Sequence, residues 1–261
     1  MMKYPHGLIT WIDLSTTDVE RARSFYQELL GWDSTDLPTP MGVPYTMFRK
    51  DGKVVAGMGP QPPEVAAAGV PSLWNTYVNV ENLDEVLAKV EPAGGVVHMP
   101  AMEVMTQGRM AMVADPSGAV IGLWEPAEHQ GAELFNAPGA LSWSELQTRD
   151  LTAAMRFYAD VLGWRWEDGP DPSYKVANVD AKEGDDTSTA GALTTPEGVP
   201  DEIPSAWSAY IAVEDCDASL AKARELGGTV VFGPMEAGPM RFVGIFDPTG
   251  AYVVLGQYLT P

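Results

Sequence analysis

Residues 11–32 open with Trp11-Ile12-Asp13-Leu14, pass Asp18 and Phe25-Tyr26, and close on Leu30-Gly31-Trp32. The same order returns at 143–164. Trp143-Ser144-Glu145-Leu146 answers the opening, Asp150 answers Asp18, and Phe157-Tyr158 leads to Leu162-Gly163-Trp164. Every landmark moves by one step, 132 positions from 11 to 143. Further out, Arg109 returns as Arg241, and Asp115-Pro116-Ser117-Gly118-Ala119 as Asp247-Pro248-Thr249-Gly250-Ala251. One step held over so many positions marks a tandem duplication. Two domains are expected, 1–128 and 140–261, with 129–139 as the linker.

A weaker repeat lies inside each half. Thr76 to Asn82 reads as a strand entering a helix, as Ile12 to Asp18 does. The chain thus divides into four modules, near 8–60, 72–126, 140–195 and 205–258, each reading as a strand, a helix and three strands. In the first, Leu8 to Ser15 is a strand and Asp18 a helix N-cap that can accept backbone amide protons. Val19, Ala22, Phe25, Tyr26 and Leu29 follow at helical spacing, and Gly31 supplies the left-handed residue that ends the helix. Tyr45 to Phe48 and Val54 to Met58 form a hairpin around Asp51-Gly52. The second module repeats the pattern with a helix at Asp84 to Val90, a stop at Gly94-Gly95, and strands near Val96, Met110 to Ala114 and Val120 to Trp124. Between the last two, Asp115-Pro116-Ser117-Gly118 is a turn.

Composition narrows the function. The 261 residues are 45% hydrophobic and 20% charged, a globular balance. Sixteen Lys and Arg stand against 36 Asp and Glu, a formal net charge of −20. Such a chain repels phosphate backbones and anionic membranes. The single cysteine, Cys216, sits among Glu214, Asp215 and Asp217, which discourage a thiolate. Met1 to Gly7 has no apolar signal core, and no apolar run reaches membrane-spanning length. A cytoplasmic protein is expected, with a small-molecule partner and neither nucleic acid nor membrane.

The paired βαβββ modules, with Asp-x6-Phe-Tyr-x3-Leu-Gly-Trp early and Asp-Pro-x-Gly late, resemble the vicinal-oxygen-chelate superfamily of glyoxalases, bleomycin-resistance proteins and dioxygenases. The resemblance covers roughly 8–126 and 140–258, and extends to two-domain actinobacterial members known as glyoxalase-like proteins or hydroxylases. It implies an α+β fold in which the mixed sheets of two modules curl into a cup. It also implies metal ligands on the first and last strands of each module. The matching first-strand positions hold Trp11, Asn75, Trp143 and Ser208, and two last-strand positions hold Gly122 and Val254. The other two fall within Val54 to Gly59 and Thr189 to Thr194, which contain no His, Asp, Glu or Cys. A glyoxalase- or dioxygenase-type metal needs three or four such donors, so neither a metal nor another cofactor is expected. His6, His98 and His129 read as structural or surface residues. Single-domain relatives dimerise to complete their cups, which implies a monomer for a chain holding all four modules.

Side chains alternate along a strand. With Ile12 and Leu14 turned to the helices, Trp11, Asp13 and Ser15 face the cup, as do Trp143, Glu145 and Gln147. Asn75 and Tyr77, Ser208 and Tyr210, Gly122 and Trp124, and Tyr252 and Val254 join them. These aromatic walls with few polar groups suit a flat organic ligand; the alternative is a packed core, against which stands the carboxylate of Asp13 and Glu145 recurring at one cup-facing site. Arg109 and Arg241 are candidates to meet Asp13 and Glu145 or an anionic ligand, with a solvent-facing or Asp115-pairing role as the alternative. Met99, Met102, Met105, Met110 and Met112 form an adaptable apolar stretch suited to core or pocket lining. With no nucleophile–base pair or cofactor motif in the chain, a metal-free binder is expected; the alternative is an enzyme using Asp13 or Glu145 as general acid or base.

Overall fold

The computed structural model describes residues 4–40, 42–169, 171–180 and 187–259. In the first repeat these form β1 (Ile9–Thr16), α1 (Val19–Leu30), β2 (Asp33–Leu37), β3 (Tyr45–Lys50), β4 (Lys53–Pro60) and a short α2 (Pro63–Ala67). Then come β5 (Leu73–Asn79), α3 (Leu83–Val90), β6 (Val96–Val104), β7 (Gly108–Ala114) and β8 (Val120–Pro126). The second repeat gives β9 (Leu141–Thr148), α4 (Leu151–Leu162), β10 (Arg165–Asp168), β11 (Tyr174–Asn178) and β12 (Ser188–Thr194). It ends with β13 (Ala206–Ala212), α5 (Cys216–Glu225), β14 (Thr229–Ala237), β15 (Met240–Phe246) and β16 (Tyr252–Tyr258).

The strands build two eight-stranded mixed sheets, ordered β2-β3-β4-β1-β5-β8-β7-β6 and β10-β11-β12-β9-β13-β16-β15-β14. The fold is the expected α+β tandem. In each module the first strand pairs in parallel with the last, Asp13 opposite Gly57 and Tyr77 opposite Gly122 in the first repeat. Glu145 opposite Gly191 and Tyr210 opposite Val254 are the counterparts in the second.

Local sequence explains the helix ends. Asp18 and Asp150 accept the amides of Arg21 and Ala153, and Asn82 and Asp215 do the same for α3 and α5. Gly31 and Gly163 adopt left-handed φ of 66° and 74°, where a Cβ would be strained. Ile12 and Leu14 of β1 are buried, as are Ala22, Phe25, Tyr26 and Leu30 of α1. Burial of each large apolar side chain stabilises the fold by about 1.5–3 kcal/mol.

Two compact units draw on both repeats. One contains Met1–Trp11, Thr76–Gly131 and Ser144–Trp207, with α3 packed against α4. The other contains Ile12–Asn75, Ala132–Trp143 and Ser208–Pro261, with α1 packed against α5. Among the described residues, no helix is long and apolar enough to cross a membrane.

Candidate functional site

The most strongly repeated residues build the core. In the second unit the Trp74 indole N–H donates to Tyr26 Oη at 2.8 Å, and Tyr26 donates to Asp247 Oδ2 at 2.9 Å. Asp247 Oδ1 meanwhile accepts from Thr249 N, Thr249 Oγ1 and Ala251 N. The first unit repeats this with Trp207, Tyr158 and Asp115 at 2.8 and 3.2 Å, while Asp115 Oδ1 holds Ser117 and Ala119. Burial, and secondarily the adjacent carboxylate, raises both phenols well above the ordinary tyrosine value. They stay protonated and serve as fixed donors. The Phe-Tyr and Asp-Pro-x-Gly motifs thus close each unit.

Chemistry-bearing groups gather on the opposite, helix-free face of the first module. Ile12 and Leu14 point to the helix, so Asp13 and Ser15 point away, both half-buried. Asn75 Nδ2 donates to Asp13 Oδ1 at 2.9 Å, and Tyr45 Oη donates to Asp13 Oδ2 at 3.0 Å. Each carboxylate oxygen therefore accepts from a different side chain. The Tyr45 ring can lie there because β4 offers Gly57 and Gly59. A Cβ at Gly57 would collide with the Tyr45 hydroxyl, and one at Gly59 would touch its ring. Tyr45 was not among the residues singled out from sequence. The signal that could have found it is its place just before Thr46, which pairs with Met58 between Gly57 and Gly59, beside Asp13 opposite Gly57. In the second repeat Glu145 stands opposite Gly191, and Tyr174 pairs with Leu193 two residues on, so Tyr174 takes the register of Tyr45.

The other sequence-chosen residues divide. Trp11 is only 4% exposed, and its ring meets His129 edge-on at 4.4 Å. Trp124 is also buried, donates to the His129 carbonyl at 3.0 Å and packs 5.7 Å from its ring. These two have the packed-core role, because His129 from the predicted linker closes over them. Trp143, at the matching position of the second repeat, is half-buried. The Tyr77 ring covers Gly122, where a Cβ would strike it. Ser208 and Tyr210 are buried; the Tyr210 ring lies 6.2 Å from Phe242, while half-buried Tyr252 packs beside Phe246.

Of the roles left open for Arg109 and Arg241, the structure shows neither the meeting with Asp13 and Glu145 nor the pairing with Asp115. Arg109 shares a face of β7 with buried Ala111 and Val113 and forms ion pairs with Asp84, Glu103 and Glu125. Arg241 shares a face with Val243 and Ile245 and pairs with Asp217 and Glu236. Acids on α3 and α5 draw both guanidinium groups to the helix side. Their partner is not Asp115, which Tyr158 holds.

The residues do not fit a glyoxalase- or dioxygenase-type metal. Among the described residues, no three His, Cys, Asp or Glu side chains stand together closely enough to hold one. At the ligand positions, Trp11 is packed against His129, Tyr77 covers Gly122, and Asn75 turns its amide N–H to Asp13. No reaction step follows through such a metal. Cys216 is buried, its thiol pushed up to about 11 by burial and then by Asp217.

The family model for the Glyoxalase/Bleomycin resistance protein/Dioxygenase superfamily matches residues 8–123 and 140–255. CFP32 of Mycobacterium bovis, a provisionally named glyoxylase, is 39% identical over 254 residues, covering 95% of this chain and 94% of the relative. Anthracycline biosynthesis protein DnrV of Streptomyces peucetius is 35% identical over 266 residues, covering 96% and 93%. Among solved structures, a Mn(II)-bound glyoxalase from Novosphingobium aromaticivorans aligns with a TM-score of 0.64 at 16% identity, covering 98% of this chain and 83% of that one. The 2,3-dioxygenase LapB from Pseudomonas sp. KL28 gives 0.63 at 16% identity, covering 98% and 94%. At that identity the two structures speak to the fold alone.

Proposed function

Since the chain belongs to the Glyoxalase/Bleomycin resistance protein/Dioxygenase superfamily, we propose that it binds a small planar organic molecule without a metal, on the helix-free face carrying Asp13. The observation that carries this reading is the Asp13–Tyr45–Asn75 cluster above a glycine floor. A ring laid against Tyr45 gains apolar contact, and its hydroxyl or carbonyl group finds a carboxylate, a phenol and an amide within one patch. The name of the relative DnrV supports a planar ligand, since anthracyclines are fused-ring aromatics. By strand register, Glu145 and Tyr174 stand in the second repeat where Asp13 and Tyr45 stand in the first, and the same reading extends to them. Trp143, Tyr77, Ser208, Tyr210 and Tyr252 belong to the same reading as ligand contacts on their own faces.

The test is titration of alizarin, a planar hydroxylated quinone, followed by its visible absorbance after chelator treatment of the protein. Wild type should bind it, and Tyr45→Phe and Asn75→Ala should each weaken binding by ~3–10-fold, the worth of one hydrogen bond. Equal affinity in wild type and both variants would reject the site.

A second reading rests on the 3.0 Å contact between Tyr45 Oη and Asp13 Oδ2. A phenol–carboxylate pair in a half-buried site can move a proton to or from a bound substrate. Asp13→Asn and Glu145→Gln separate the readings. A binder keeps most of its affinity, whereas an acid–base enzyme loses turnover by ~100-fold or more.

A further inference from the structure

Five of the 13 methionines fall between residues 99 and 112, and strand register brings four of them onto one face. Met99 pairs with Met112, and Met102 with Met110, across β6 and β7. Met112 lies opposite Gly122 and Met110 opposite Trp124, on the same face as Tyr77. The alternate β7 residues Ala111 and Val113 are buried towards the helix. Met99, Met110 and Met112 are half-buried and Met102 is 44% exposed, so this patch stays within reach of solvent.

The fold does not require methionine here. Register places Phe232 opposite Gly244 and Met235 opposite Phe242 in the second repeat, so three of the four matching positions lack a thioether. We propose that Met99, Met102, Met110 and Met112 form a thioether site for a soft monovalent cation, Cu(I) or Ag(I). Cross-strand neighbours on one face have Cβ atoms about 4.5–5.5 Å apart, and each methionine carries three further rotatable bonds. The two sulfurs of each cross-strand pair can therefore turn towards a shared ion, although the ladder is irregular on either side of Met99. Thioethers select Cu(I) among biological metals, so this site differs in kind from the missing glyoxalase-type ligand set. The net charge of −20 concentrates cations near the surface.

The test uses Ag(I), which needs no reductant, with whole protein labelled at the methionine methyl carbons. One equivalent should shift the methyl resonances of at least three of Met99, Met102, Met110 and Met112, assigned by single Leu variants. Met110→Leu/Met112→Leu should weaken binding by ~10-fold or more, while Met235→Leu leaves it unchanged. Should the double variant fail to fold by circular dichroism, exposed Met102→Leu replaces it and should weaken binding about threefold. No binding, shifts confined to other methionines, or a response that vanishes only in Cys216→Ala would overturn the proposal. So would unchanged affinity in the folded variants.

Discussion

Tyr26 and Tyr158 each join an indole N–H to a buried carboxylate, so removing either hydroxyl strands two polar partners at once. Tyr26→Phe should destabilise the protein by about 1–3 kcal/mol, measured by urea unfolding; no loss would mean that Asp247 finds another donor. The raised phenol values give a second expectation. A group whose folded value lies above its unfolded one contributes stability below the unfolded value, near pH 10 for tyrosine. That stability is lost as pH rises through the folded value. Tyrosinate absorbance should therefore show Tyr26 and Tyr158 titrating only as the protein unfolds in alkali, with each Phe variant removing its own contribution. Titration of Tyr26 or Tyr158 in folded protein would contradict this assignment. At the residue scale, Asp13 was legible from strand parity and repetition. Tyr45 was not, because its place depends on how β3 registers against the glycines of β4.

The elements follow local rules where those rules are strong. Asp18, Asp150, Gly31 and Gly163 mark helix ends in sequence and in structure. The edge strands β2 and β10 carry no apolar alternation, since four of the five β2 residues are exposed. Pairing makes them strands: Asp33 to Leu37 lie opposite Arg49 to Tyr45, and Arg23 of α1 grips Asp36. Between β4 and the face it supports, Gly57 is the sensitive position. Gly57→Ala places a Cβ on the Tyr45 hydroxyl and should displace that ring from Asp13. Alizarin affinity should then fall at least as far as in Tyr45→Phe, with the fold retained by circular dichroism. Affinity equal to wild type would show that the Tyr45–Asp13 contact does not serve the ligand.

For the whole chain, the expectation of a monomer becomes a proposal with a direct measurement. Light scattering should return the mass of one chain, 28.1 kDa, and a stable species of twice that mass would reject it. Residues 1–131 alone supply Tyr26 without Asp247 and Asp115 without Tyr158. Because Tyr26 is the repeat equivalent of Tyr158, and Asp115 of Asp247, two copies of that half could satisfy each other. The half-chain should thus dimerise, and a folded monomeric half would refute the exchange. The sequence by itself determined the duplication, the four modules, the α+β class, the helix caps and the carboxylate on each first strand. These depend on residue identity and on local periodicity, which a linear reading contains. Only the tertiary structure decided that the first module shares a compact unit with the fourth and the second with the third. It also decided that Trp11 lies under His129, that Arg109 and Arg241 turn to helix acids, and that Tyr45 reaches Asp13. Each of these depends on which groups from distant segments meet, and burial and charge pairing settle that only once the chain is packed.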